Sequence, residues 1–156
     1  MEAVTIAAFL GMLAVVAYTD WRTMKIPDRF TLVLAVIGAV SVVTMPGIRL
    51  ADRLIGVFSV SVPLLLITLI VPGAFGGGDI KLMGACGLLL GWKLSLVSLV
   101  LAVMTGGFYG IWLLAAGKKG RKEQFAFGPF LCLGMVVALF RGEELLAWYL
   151  GLCGLQ

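Results

Sequence analysis

Eight acidic residues are scattered through a chain that contains no histidine. Glu2, Asp52, Glu123, Glu143 and Glu144 lie at the ends of apolar runs or in polar connections, and they read as solvated charges. The other three stand apart. Asp20 closes the first apolar run in "AYTDWRTMKIPDRF", Asp28 follows the Ile-Pro pair of the same stretch, and Asp79 comes directly after three glycines in "PGAFGGGDIKLMGACG". Two carboxylates a few ångströms apart cannot both stay ionised, so such a pair shares a proton. The ionised member can take a proton from water while the protonated one polarises a carbonyl. That is aspartyl-protease chemistry, and it needs no metal, no cofactor and no covalent intermediate. The lack of histidine excludes Ser-His and Cys-His nucleophile systems. Cys86, Cys132 and Cys153 stand singly, without a C-x-x-C pair, which argues against a zinc site or a disulfide framework.

Each acid also has a structural reading. Asp79 precedes an apolar run and suits a helix N-cap. Asp20 suits an interfacial residue paired with Arg22 or Lys25. The pair together, with glycine before one member, favours a site. Gly76, Gly77 and Gly78 let a backbone approach closely and adopt unusual dihedrals, which fits a place that admits another chain. Lys81, two residues beyond Asp79, projects to nearly the opposite face of a helix and reads as a support or a substrate contact.

The elements that must position these residues follow from composition. The chain has 156 residues, of which 62% are hydrophobic and 13% charged, and its mean hydropathy is +1.12. A soluble domain of this size has too little interior to hide so much apolar surface, so lipid is the expected solvent. The net charge of +4 sits in short gaps between apolar runs without interleaved aromatics. It points to lipid headgroups and not to nucleic acid. One domain over residues 1–156 is expected. The first run, which has neither a basic n-region nor a small-residue cleavage site, reads as a retained helix.

Six apolar segments are candidate spans: Ala3–Thr19, Phe30–Met45, Leu54–Val71, Ile80–Leu90, Leu94–Ala116 and Phe125–Phe140. The fourth is short for a crossing. A last run, Leu145–Leu155, suits an interfacial or partial helix. With alternating connections, eight basic residues (Arg22, Lys25, Arg29, Lys81, Lys118, Lys119, Arg121 and Lys122) fall on one side and four (Arg49, Arg53, Lys93 and Arg141) on the other. The richer side is expected in the cytoplasm, with the N-terminus outside. Asp20, Asp28 and Asp79 then all lie at the cytoplasmic interface, where a buried acid is costly enough to suggest function.

Three stretches, in order, resemble the type IV prepilin peptidase family of G-x-G-D membrane aspartyl proteases. "GGGDIKLMGACG" has Gly76, Gly78 and Asp79 in the motif positions, "YTDWRTMKIPDRFTL" is similar to the first catalytic segment, and "FAFGPFLCLG" to the Phe-Gly-Pro-Phe segment of a late helix. The resemblance covers nearly the whole chain. It implies an all-α polytopic enzyme that removes the short basic leader of prepilin-like precursors at the cytoplasmic face. Asp20 and Asp79 would be the catalytic pair. Gly76, Gly77, Gly78, Lys81 and Asp28 would bear on substrate, and Gly128-Pro129 would be structural. The chain lacks the inserted cysteine-paired region of longer members, so it is closer to short Tad/Flp-type or archaeal preflagellin peptidases, and N-methylation is not expected. Asp28 stands where the family commonly has asparagine. Asp20 is favoured as partner of Asp79, since Asp28 lies beyond a proline and beside Arg29. A small proton-coupled transporter using the same aspartates is the alternative, but it calls for acids near the bilayer midplane.

Overall fold

The computed structural model describes residues 1–117, 125–152 and 154. The elements are helices: α1 (Glu2–Thr23), α2 (Asp28–Thr44), α3 (Leu50–Ile70), α4 (Gly77–Ala115) and α5 (Gly128–Leu152). No strand occurs among the described residues. Three of the helices, α1, α3 and α4, are long and apolar enough to cross a membrane. Outward-facing Val, Leu, Ile and Phe cover α2, α3 and much of α4, as expected of helices solvated by lipid.

Helix α4 contains both the fourth and the fifth expected segments. It is broken at Gly91, whose φ of 71° and ψ of 173° leave the helical region; a positive φ of this kind is open to glycine and strained for other residues. The chain folds back here. Asp79 and Gly106 line one cavity, although 27 residues of straight helix would separate them by roughly 40 Å. We therefore describe α4 as an N-arm (77–90) and a C-arm (92–115), giving six helical arms. The N-arm is as short as its apolar run. The Leu145–Leu155 run differs from expectation. It continues α5 to Leu152, because the Arg141–Glu144 stretch contains no helix breaker and Gly142 is used to pack closely on Leu94.

Backbone meets backbone where the arms cross. A Cβ on Gly56 would fall 2.5 Å from the Gly87 carbonyl oxygen, so α3 and the N-arm touch with no side chain between them. Gly134 of α5 lies equally close to the Ser98 carbonyl of the C-arm. Small residues permit this kind of approach between helices in lipid.

At the end of the bundle away from Asp79 lies a residue whose role was misjudged from sequence. Arg53, counted above among the basic residues of the connections, is 0% exposed. Its guanidinium donates to the carbonyls of Met45 at 2.6 Å and Leu88 at 2.8 Å, to Ser41 Oγ at 2.6 Å, and to the carbonyls of Ser41 and Ile48. Most of these acceptors lie at the C-terminal ends of α2 and of the N-arm, where the helix dipole favours a cation, and Ile48 lies in the connection before α3. Beside it, Trp92 Nε1 donates to Asp52 Oδ1 at 3.2 Å. Arg53 thus clamps α2, α3 and α4 together and drops out of the topological charge count. Arg22, Lys25, Arg29 and Lys81 remain at the opposite end, near Asp79; Lys118 to Lys122 lie outside the described residues.

Candidate active site

Asp20 falls on the buried stripe of α1, in register with Thr5, Phe9, Leu13 and Val16. Helical spacing therefore turns its carboxylate into the bundle, whereas Arg22 faces outward and bonds Tyr18. The helix ends one residue turn later at Met24, which adopts a left-handed conformation (φ 51°) and donates to the Asp20 carbonyl. Asp79 heads the buried stripe of the N-arm, which continues through Leu82, Met83 and Cys86. It is not the N-cap. Gly76 takes that position, and the Asp79 carboxylate reaches back to the Gly76 N–H at 3.3 Å, as an acid at the third helical position does.

Asp20 has a matching partner. The Gly128 N–H, in the first turn of α5, donates to Asp20 Oδ2 at 3.0 Å. Both acids thus sit at helix N-termini, where unpaired N–H groups and the helix dipole favour negative charge. They are 5% and 7% exposed respectively. Each uses only Oδ2 for these bonds, and among the described residues neither Oδ1 has a hydrogen-bond partner. Both carboxylates line one cavity of about 730 Å³, floored by the two acids and walled by Gly76, Gly106, Phe125 and Phe127. Phe75 and Phe127, both in its wall, pack against one another with ring centroids 5.5 Å apart. Tyr109, Phe125 and Phe130 extend this aromatic wall.

The structure brings together Asp20, Asp79 and Gly76. Gly78 is instead pressed against the turn after α1, where a Cβ would come 2.9 Å from that of Ile26. Gly77 borders open space. Lys81 and Asp28 lie outside the cavity, Nζ to Oδ1 at 2.8 Å, both largely exposed. Two residues along a helix turn the side chain by roughly 200°, so Lys81 faces away from Asp79 and fastens the start of α2 to the N-arm. Glu123 lies outside the described residues.

Gly128 was read from sequence as structural, yet it is the direct partner of Asp20. Its signal was the Phe-Gly-Pro-Phe stretch: Pro129 is tolerated in a first turn, while glycine before it leaves room for a carboxylate. A Cβ at position 128 would sit 2.6 Å from Asp20 Oδ2. Gly128→Ala should therefore fold but displace the carboxylate, lowering turnover by about 10- to 100-fold, as expected for misplacement of a reacting group on the ångström scale. Single-turnover rates alongside thermal unfolding would check this; wild-type turnover would show that the contact is irrelevant.

The arrangement of two buried acids, each anchored by one oxygen and free at the other, suits activation of a water molecule between them. Among the described residues no group of side chains could hold a metal ion. The type IV leader peptidase family matches residues 7–111. The chain is 27% identical over 150 residues to the prepilin leader peptidase/N-methyltransferase of Bacillus subtilis (strain 168), covering 96% of this chain and 60% of that protein. It is 31% identical over 153 residues to the protein of the same description from Aeromonas hydrophila, covering 94% and 53%. For that of Legionella pneumophila the identity is 38% over 76 residues, covering 49% and 26%. The chain thus spans about 60% or less of the length of these relatives. No solved structure gives a significant match. The family match runs through both aspartates and most of the helical bundle around them, and the chain belongs to the type IV leader peptidase family.

Proposed function

We propose that the protein is a membrane-embedded aspartyl endopeptidase that removes the short basic leader from prepilin-like precursors. The observation that carries this reading is the convergence of Asp20 and Asp79, 59 positions apart in sequence, on one cavity. One carboxylate takes a proton from water as its oxygen attacks the scissile carbonyl, and the partner carboxyl gives a proton to the carbonyl oxygen. Collapse of the resulting diol breaks the C–N bond, and a proton passes to the leaving amine. Gly76 and the preceding loop leave room for the substrate backbone. Gly77, Gly78, Lys81 and Asp28 lie outside the cavity lining, and any contribution they make to substrate is indirect.

In this reading all six arms cross the cytoplasmic membrane, the N-terminus is outside and the cavity opens to the cytoplasm. Support comes from Arg22, Lys25, Arg29 and Lys81, which share the aspartate end of the bundle and follow the positive-inside rule. The transporter alternative finds no support: both acids are at one end of the helices, and the relatives are peptidases by description.

The test is leader removal from a prepilin by the purified protein in lipid vesicles, read as a shift in product mass. Activity should appear without added metal or cofactor. Asp28→Asn and Lys81→Met should each retain processing within about threefold of the parent, because an exposed ion pair contributes about 0–1 kcal/mol. Complete loss in Asp28→Asn would transfer the catalytic role to that residue.

A further inference from the structure

The exposed side of the C-arm carries Leu96, Val100, Val103 and Gly107 at intervals of four, three and four residues, which is one helix face. No charge interrupts it, since residues 94–117 contain no Asp, Glu, Lys or Arg. Most of the C-arm's exposed surface is simply apolar, as lipid requires. This face differs because it runs into the catalytic cavity: Val103 and Gly107 belong both to the face and to the cavity wall. Val103 is 48% exposed and so is Val71, at 55%, on the opposite lip. The mouth between the C-arm and the end of α3 is therefore apolar and open sideways. The last turns of α3, Leu65 to Ile70, are exposed almost all round, so no helix among the described residues covers the approach.

Gly107 adds an independent observation. Glycine weakens a helix interior relative to alanine, and interior glycines usually answer to a close neighbour. Gly106 does, since a Cβ there would come 2.8 Å from the Phe127 ring. Gly107 does not: nothing lies within 4 Å of its Cβ position. Nothing inside the described fold requires glycine at 107, yet the position lines a cavity whose two carboxylates are more than nine-tenths buried and each keep an oxygen with no partner among the described residues.

We propose that the Leu96–Val100–Val103–Gly107 face is the track on which the apolar helix of the substrate lies, its peptide entering the cavity sideways through the Val71/Val103 mouth. Gly107 is cleared for the substrate backbone as it bends from the helix toward the aspartates. The inference rests on the peptidase reading and on the family resemblance, which implies a substrate cleaved just before its apolar helix. Such a segment must leave the cavity toward hydrocarbon, and this face is continuous with it.

The experiment is a cross-linking ladder. The probe is a synthetic prepilin peptide with a basic leader, an apolar segment of about 20 residues and one cysteine moved along that segment. It is mixed with the full-length enzyme in phosphatidylethanolamine–phosphatidylglycerol vesicles. Enzyme variants Val103→Cys, Val100→Cys and Leu96→Cys are compared with Val36→Cys and Phe58→Cys, exposed positions on α2 and α3, all in a Cys153→Ser background. Cysteines nearest the leader should link to position 103, and those one and two turns deeper to 100 and then 96, several-fold above the controls. Uniform linking at all five positions, or links confined to the controls, alongside normal leader removal, would overturn the track alone. Absence of leader removal by the parent enzyme would overturn the peptidase reading, and the track with it.

Discussion

Asp79→Asn should abolish leader removal while leaving the helical bundle intact. Asparagine is close in shape to aspartate, and its side-chain oxygen can still accept the Gly76 N–H that Asp79 Oδ2 accepts at 3.3 Å. It cannot exchange a proton with water. General acid–base groups contribute about 10²- to 10⁴-fold, and a pair acting as one unit loses nearly everything with either member. A fall of at least about 10³-fold is expected for Asp79→Asn and for Asp20→Asn. The double variant should be no worse than either single one. Activity against pH should describe a bell in the parent, as for any proton-sharing pair. Single-turnover cleavage, with circular dichroism to confirm helix content, decides the matter. If either asparagine variant processes prepilin at even a tenth of the parent rate, the pair is not the catalyst.

The second large effect lies at the other end of the molecule. Arg53→Met should destabilise the fold on the order of 3–5 kcal/mol, since a buried acceptor left unmade costs about 1–3 kcal/mol and the guanidinium serves several at once. Methionine matches much of the side-chain volume, so the loss would report hydrogen bonding and not a cavity. Arg53→Lys should recover part of the stability, because an ammonium offers three donors but not the planar fork. Thermal unfolding in detergent would measure both. An Arg53→Met protein as stable as the parent would mean that the Ser41 hydroxyl and the Met45 and Leu88 carbonyls find other donors or water. The clamp also bears on activity. It fixes the far end of the N-arm, whose near end carries Asp79, so residual Arg53→Met enzyme should lose turnover along with stability.

Much of this was readable before any coordinates. Apolar runs marked the helices because lipid leaves a spanning backbone no partner but itself. The shortness of Ile80–Leu90 anticipated the N-arm for the same reason. Asp20 and Asp79 stood out because acids are costly among apolar residues. What sequence could not show was local geometry. Arg53 looked like one more loop cation, since its partners are backbone carbonyls, which carry no sequence signature. Asp79 looked like an N-cap, but the cap fell three residues earlier because Gly76 accepts the extended φ/ψ of that position. Lys81 and Asp28, each near an acid in sequence, proved to pair with one another, because 200° of helix rotation carries Lys81 away from Asp79.

By itself, then, the sequence determined that this is an apolar helical bundle with two acids at matching ends of distant helices. Those properties depend on composition and periodicity, which are local. Only the tertiary structure decided that the two acids share a cavity, that Gly128 supplies the N–H holding one of them, and that Gly91 folds α4 back so that Gly106 and Gly107 wall the site. Each of these depends on contacts between residues far apart along the chain. Such contacts are set by how closely glycine-lined helices pack, not by the identity of any one residue.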